Sequence, residues 1–298
     1  MHIFLILVIF LYSLYGENIT PLPKTIKTDP KKVELGKMLF FDPILSKDNT
    51  ISCASCHDLD NGGDDGKKVS TGISGKQGSI NAPTVLNAVF NFRQFWDGRA
   101  KDLQEQAAGP IENPVEMGNS FENLIKTLKN SSYNDMFLEI YPNGITKENI
   151  TDALAEYEKT LITPNSPFDR YLKGDKDALS QDQKEGYELF KTKGCIACHN
   201  GTNIGGNMYS KFGVIFSIHD KNLGRYNITK DENDKYFFKV PSLRNVDQTA
   251  PYFHNGSEPS LKKAVEFMAE YQLGRTIPDQ EIDKIVAFLH SLTAKVQQ

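Results

Sequence analysis

The sequence predicts a mostly α-helical chain of two similar units joined by long loops, and three observations carry that expectation. Apolar residues recur at three- and four-residue spacing in several stretches, as on the buried face of a helix. Runs alternating at period two, which would signal strands, are scarce. One pattern also occurs twice, as Cys53-Ala54-Ser55-Cys56-His57 and Cys195-Ile196-Ala197-Cys198-His199. A length of 298 residues is ample for two domains. Hydrophobic residues at 39% and charged residues at 24% describe a soluble globular chain. The net charge of −4 gives no reason to expect nucleic acid.

The repeated pattern uses all four cysteines of the chain. Cys-x-x-Cys-His is the attachment signature of c-type haem. The thiols add to the porphyrin vinyl groups, and the histidine is thereby held under the iron as proximal ligand. A zinc site would bring its cysteine pairs within about 15–20 residues of each other, whereas 138 residues (57 to 194) separate these. A thioredoxin-like motif needs a βαβ context, which is absent. Two structural disulfides in an oxidising compartment are the remaining alternative. Haem alone also uses the histidines. The expected fold is therefore two cytochrome c-like domains, each with one covalently bound c-type haem. Cys53, Cys56 and His57 hold the first, and Cys195, Cys198 and His199 the second.

Taken in order, the chain opens with an apolar run, Ile3 to Tyr15, of signal-peptide length, with small residues from Ser13 to Gly16 near a cleavage point. Residues 1–16 are expected to be a signal peptide and the protein to be periplasmic. An uncleaved tether or an ordinary buried segment are the alternatives. Glu34 to Phe41 reads as a short helix stopped at Asp42-Pro43. Asn61 to Asn81 is a Gly-, Asp-, Ser- and Lys-rich loop expected to wrap the haem edge. Ala100 to Ala108 reads as a helix stopped by Gly109-Pro110. Thr146 caps a helix from Lys147 to Leu161. Pro164 to Asp175 is the expected domain boundary, giving an N-terminal unit over 17–165 and a C-terminal unit over 166–298. Ser180 and Gln183 form a capping box opening a helix to about Lys191. Asn200 to Thr249 is a second long wrap. Ser260 caps a helix carrying Leu261, Ala264, Val265 and Met268. Pro278 opens the last helix, with Ile282, Ile285, Val286 and Leu289 on its stripe; this helix is a candidate for packing back on the N-terminal unit.

The axial ligands separate two kinds of haem chemistry. A haem that only moves electrons has both axial positions filled, whereas one that activates peroxide keeps one open beneath acid/base groups. The histidines are His2, His57, His199, His219, His254 and His290, so none lies between the two motifs. The first haem has no second histidine within its own unit, though Met117 or Met136 could bind there. For the second, Met208, Met268, His219 and His254 are available. Trp96 on composition alone is a core residue, and Glu116, in a Pro/Gly turn, is a solvated carboxylate.

From about Lys32 to Gly274 the chain resembles the bacterial di-haem cytochrome c peroxidases. The resemblance rests on Ile51-Ser52-Cys53-Ala54-Ser55-Cys56-His57, Asn81-Ala82-Pro83-Thr84-Val85, Gln94-Phe95-Trp96-Asp97-Gly98-Arg99 and Gln106-Ala107-Ala108-Gly109-Pro110. It continues through Asn113-Pro114-Val115-Glu116-Met117-Gly118, Val240-Pro241-Ser242-Leu243-Arg244-Asn245-Val246 and Tyr252-Phe253-His254-Asn255-Gly256-Ser257. It implies that Trp96 lies between the two haems and that Gln106 and Glu116 form the distal pair over the peroxidatic haem. It implies Met268 as sixth ligand of the electron-transfer haem. Asn81, with the carbonyls of Thr249 and Pro251, is implied to hold calcium between the domains. Many members carry a histidine in the loop after the first motif that blocks the peroxidatic iron until the other haem is reduced. Here Ile73 stands in its place in Ser70-Thr71-Gly72-Ile73-Ser74-Gly75, so no such ligand is expected. The implied activity is reduction of hydrogen peroxide to water by a periplasmic homodimer, with a small cytochrome c or a copper protein as electron donor. A tryptophan-oxidising maturation enzyme of the same fold is one alternative, against which Met268 argues, since that enzyme has tyrosine there. A di-haem electron carrier without peroxide chemistry is the other.

Overall fold

The computed structural model describes residues 19–296, so the expected signal peptide at 1–16 lies outside the described residues. Helix α1 spans Pro30–Phe41. It begins four residues before the expected Glu34 because Asp29 caps it, accepting from the backbone N–H groups of Lys31 and Lys32, with Pro30 at the first helical position. Helix α2 spans Leu103–Glu112 and runs through Gly109-Pro110, which corrects the expected stop. Pro110 sits in the last turn and forfeits only the bond that Gln106 C=O would accept. Continuing the helix meanwhile buries Ile111 beside Ala107. Helices α3 (Phe121–Lys129) and α4 (Tyr133–Ile140) follow. Helix α5 (Lys147–Glu158) is capped by Thr146, whose hydroxyl accepts from Asn149 N–H, as expected.

These elements enclose a first core of Leu35, Leu39 and Phe40 from α1, Ile150, Leu154 and Tyr157 from α5, and Leu124, Leu128 and Phe137 from α3 and α4. The crossing of α1 over α5 depends on Gly36, where a Cβ would lie 1.9 Å from the Ala153 carbonyl oxygen. The second core repeats the device. Helix α7 (Gln181–Lys193), opened by the Ser180/Gln183 capping box, crosses α10 (Asp279–His290) at Gly186, where a Cβ would meet the Lys284 carbonyl oxygen at 1.9 Å. Tyr187, Phe190, Ile285, Phe288 and Leu289 fill that contact with Phe168 from α6 (Pro167–Leu172). In each unit the haem motif follows the first helix of the crossing pair. The two halves thus share an architecture that their sequences do not display as a repeat. Helix α10 spends its apolar stripe on α7 in the second core, and beyond the helix Val296 in the tail reaches the first core.

Within the stretch from Thr163 to Leu172, Thr163, Ser166, Phe168 and Asp169 are fully buried. Ser166 and Asp169 form a capping box on α6. Asp169 pairs with Arg244 at 2.8 Å, both side chains fully buried. Thr163 accepts from Asn87 at 2.8 Å and donates to Asn245 at 2.7 Å. The second long loop carries a one-turn helix α8 (Tyr226–Thr229) and a two-stranded antiparallel sheet. There β1 (Tyr209–Lys211) pairs with β2 (Phe237–Lys239), Tyr209 opposite Lys239. Helix α9 (Leu261–Phe267), capped by Ser260, widens into a π turn at Met268–Gln272. Among the described residues no helix is long and apolar enough to cross a membrane.

Candidate active site

The two cysteine motifs adopt one conformation. Cys53–Ser55 and Cys195–Ala197 each form a 3₁₀ turn, and the backbone N–H of His57 and of His199 each reaches the first cysteine's carbonyl at 3.0 Å. None of the four thiols pairs with another, so the disulfide alternative is not what the structure forms. His57 Nδ1 lies 3.0 Å from the Gly63 carbonyl, a contact that leaves Nε2 as the nitrogen able to bind a metal. His199 Nδ1 is buried with no hydrogen-bond partner among the described residues. Burial pushes both imidazoles down, His199 to about 4, and so keeps them in the neutral form that binds metal. Cys195, Cys198, His199 and Met268 line one cavity with Phe190, Leu289 and other apolar residues. Thiols for two thioethers, a neutral imidazole and a thioether sulfur in an apolar cleft are the donor set that a c-type haem takes. At the first motif Cys53, Cys56 and His57 offer the same two thiols and neutral imidazole. Met117 is 2% exposed in the first core, and Met136 packs against that core.

Glu116 sits in a turn folded back on the C-terminal end of α2. Met117 N–H donates to Pro110 C=O at 3.2 Å and Asn119 N–H to Ile111 C=O at 2.8 Å. Gln106 lies one turn before Pro110 on the same helix face. Its side-chain amide makes no hydrogen bond to another described residue, in contrast to Gln104, which donates to Glu148 C=O. The Glu116 carboxylate accepts from Asn113 Nδ2 at 2.6 Å. Burial raises its pKa, against the Asn113 bond and the charge of Arg99, which both favour the ionised form. The default of a solvated carboxylate therefore does not hold here.

Trp96 is fastened between the units. Its indole N–H donates to Asn81 C=O at 2.9 Å, its own carbonyl accepts from Lys239 N–H at 2.7 Å, and its ring meets His254 edge-on with centroids 6.2 Å apart. Trp96, Asn81, Thr249 and Pro251 all line the cavity that contains His199 and Met268. The Asn81 amide N–H₂ donates to Lys67 C=O at 2.8 Å, which reserves Oδ1 as an acceptor.

The sequence matches the family model for di-haem cytochrome c peroxidase over residues 30–177 and that for cytochrome c over residues 183–293. Cytochrome c551 peroxidase of Nitrosomonas europaea is 50% identical over 282 residues, covering 93% of this chain and 84% of that protein. The chain belongs to the di-haem cytochrome c peroxidase family. Another member, cytochrome c peroxidase Ccp of Escherichia coli, is 52% identical over 284 residues; the alignment covers 93% of this chain and spans 61% of that longer protein. The methylamine utilization protein MauG of Methylorubrum extorquens is more distant, at 33% identity over 92% of this chain and 82% of that one. A MauG-like protein associated with microbial copper homeostasis has the same fold, with a TM-score of 0.81 at 24% identity over 95% of each chain.

Of two further residues of this peroxidase-family site, His254 was named from sequence only as an available axial ligand, and Lys239 was not singled out. His254, 2% exposed, stacks on Phe238 with centroids 4.1 Å apart and approaches Asp220 at 3.3 Å. Lys239, 5% exposed, lines the second cavity. Its signal was a lysine inside the apolar run Tyr236-Phe237-Phe238-Lys239-Val240.

Proposed function

We propose that the protein reduces hydrogen peroxide to two waters, consuming two protons and two electrons delivered by a small redox protein. The observation that carries this reading is the half-buried Glu116 carboxyl, its pKa raised, in the turn folded over the helix that presents Gln106. Cys53, Cys56 and His57 would hold one haem, and Cys195, Cys198, His199 and Met268 the other. When bound, the two haems would supply the redox chemistry, the first toward peroxide and the second toward the electron donor.

The chain's own groups do the rest. Glu116, ionised, accepts the proton of the near peroxide oxygen and returns it to the far one, so that the leaving oxygen departs as water. Gln106 orients the oxygens with its free amide. Asn113 keeps Glu116 in place. Trp96, hydrogen-bonded to Asn81 and to the strand of Lys239, provides a rigid aromatic bridge for electrons crossing between units. Asn81 and the carbonyls of Thr249 and Pro251 offer neutral oxygen ligands of the kind calcium takes. Identity of about 50% to named cytochrome c peroxidases, against 33% to MauG, favours peroxide over tryptophan oxidation.

The reading extends to a periplasmic homodimer fed by a small cytochrome c or a copper protein. Steady-state peroxide reduction by the di-haem protein, with a reduced small cytochrome c as donor, tests the activity. Turnover is expected, and a protein that binds both haems yet never oxidises the donor would leave it an electron carrier.

A further inference from the structure

Lys239 has a buried charge with no ion-pair partner among the described residues. The residue is 5% exposed on β2 and lines the cavity that contains Cys195, Cys198, His199 and Met268. No described carboxylate forms an ion pair with it, and burial alone acts on its ammonium, pushing it down to about 8. The carboxylate that lines the same cavity, Asp64, is itself driven up to about 7 by burial and draws no support from a lysine. Buried charges are ordinarily paired; the other deeply buried cation described, Arg244, meets Asp169 at 2.8 Å. Lys239 is also firmly placed. Its N–H bonds to Trp96 C=O at 2.7 Å, its strand pairs with Tyr209, and its neighbour Phe238 stacks on His254.

The anions a c-type haem brings into its cleft are its two propionate carboxylates, since both vinyl groups are spent on cysteines. We propose that Lys239 binds a propionate of the haem attached at Cys195 and Cys198, and that this pairing raises the haem's reduction potential. A cation beside the porphyrin disfavours the more positive ferric state, and in a low-dielectric site that effect is strong. The same lysine joins the haem edge to the backbone of Trp96. This inference rests on the haem reading of the second unit and is independent of peroxide turnover.

Spectroelectrochemical titration of the low-spin haem in the holoprotein tests it, with Lys239→Met and Lys239→Arg as variants. Lys239→Met is expected to shift the reduction equilibrium about tenfold toward ferric, about 59 mV for a one-electron couple, while Lys239→Arg stays close to the parent. A Lys239→Met protein with both haems and an unchanged potential overturns the proposal. Loss of the second haem from Lys239→Met with retention in Lys239→Arg supports it. A crystal structure of the parent holoprotein decides independently of how the variants fold, because Nζ beyond hydrogen-bond reach of both propionates overturns it. Iron content is measured first; a parent protein with one haem removes the underlying haem reading instead.

Discussion

The backbone N–H of Ile73 donates to the carbonyl of Glu116 at 2.8 Å. The two segments fit so closely that a Cβ on Gly72 would fall 2.2 Å from Val115 C=O, and one on Gly118 2.3 Å from Ile73 Cδ1. The loop after the first cysteine motif thus braces the turn that carries Glu116, and the isoleucine side chain it presents there cannot ligate iron. The fully oxidised di-haem protein should therefore show a high-spin ferric signal beside a low-spin one in electron paramagnetic resonance, and turn over without prior reduction. Two low-spin signals would mean that another residue caps the first iron.

Glu116 must be ionised to take a proton, and burial raises its pKa above the ordinary 4.5. As pH falls through the raised value the carboxylate is lost, so kcat/KM should decline on an acid limb positioned above 4.5. Arg99 favours the ionised form, so Arg99→Gln should move that limb to higher pH. Glu116→Gln should lower kcat by roughly 10²–10⁴, as for loss of a general acid–base group, and abolish the limb while leaving both haem spectra intact. An acid limb that persists in Glu116→Gln assigns the proton transfer elsewhere.

What the sequence revealed and what it hid follow from the range of the interactions. Caps act within three residues, so Thr146 and the Ser180/Gln183 box placed α5 and α7 well. Asp29-Pro30 is an equally local signal and was overlooked. Gly109-Pro110 misled because a proline in a last turn costs a single hydrogen bond, which the burial of Ile111 offsets. The three-residue strands β1 and β2 are too short to show alternation. At the site, cysteine spacing announced the haems, but nothing local tells that Glu116 is half-buried or that Lys239 lacks a counter-ion. Those facts arise from segments distant in sequence, as Ile73 is from Glu116 and Trp96 from Lys239.

The fully buried Arg244–Asp169 pair holds the inter-unit segment to the second core. Arg244 also donates to Thr202 C=O at 2.8 Å and Thr20 C=O at 3.1 Å, and Asp169 accepts from Leu22 N–H at 3.2 Å. Removing one partner strands the other charge in a dry site. Arg244→Met should cost about 3–5 kcal/mol, read as a lower midpoint of denaturant unfolding for the holoprotein. A change below about 1 kcal/mol would mean that water or a rearrangement reaches Asp169.

Glu158, at the end of α5, is 5% exposed, and no hydrogen bond from a described residue serves its carboxyl. Burial alone raises its pKa from 4.5 to about 8. The folded state therefore binds a proton that the unfolded chain releases near 4.5. Stability from this group is fully present below that value, is lost progressively as pH rises toward 8, and changes no further above it. The loss is on the order of a few kcal/mol. Glu158→Gln keeps the shape and removes the titration. The unfolding temperature of the parent should fall between pH 5 and pH 9 more steeply than that of the variant, and the variant should be the more stable of the two at pH 9. Parallel curves would show that Glu158 meets a compensating group in the haem-loaded protein, where Cys53, which feels its charge, is bonded to the porphyrin.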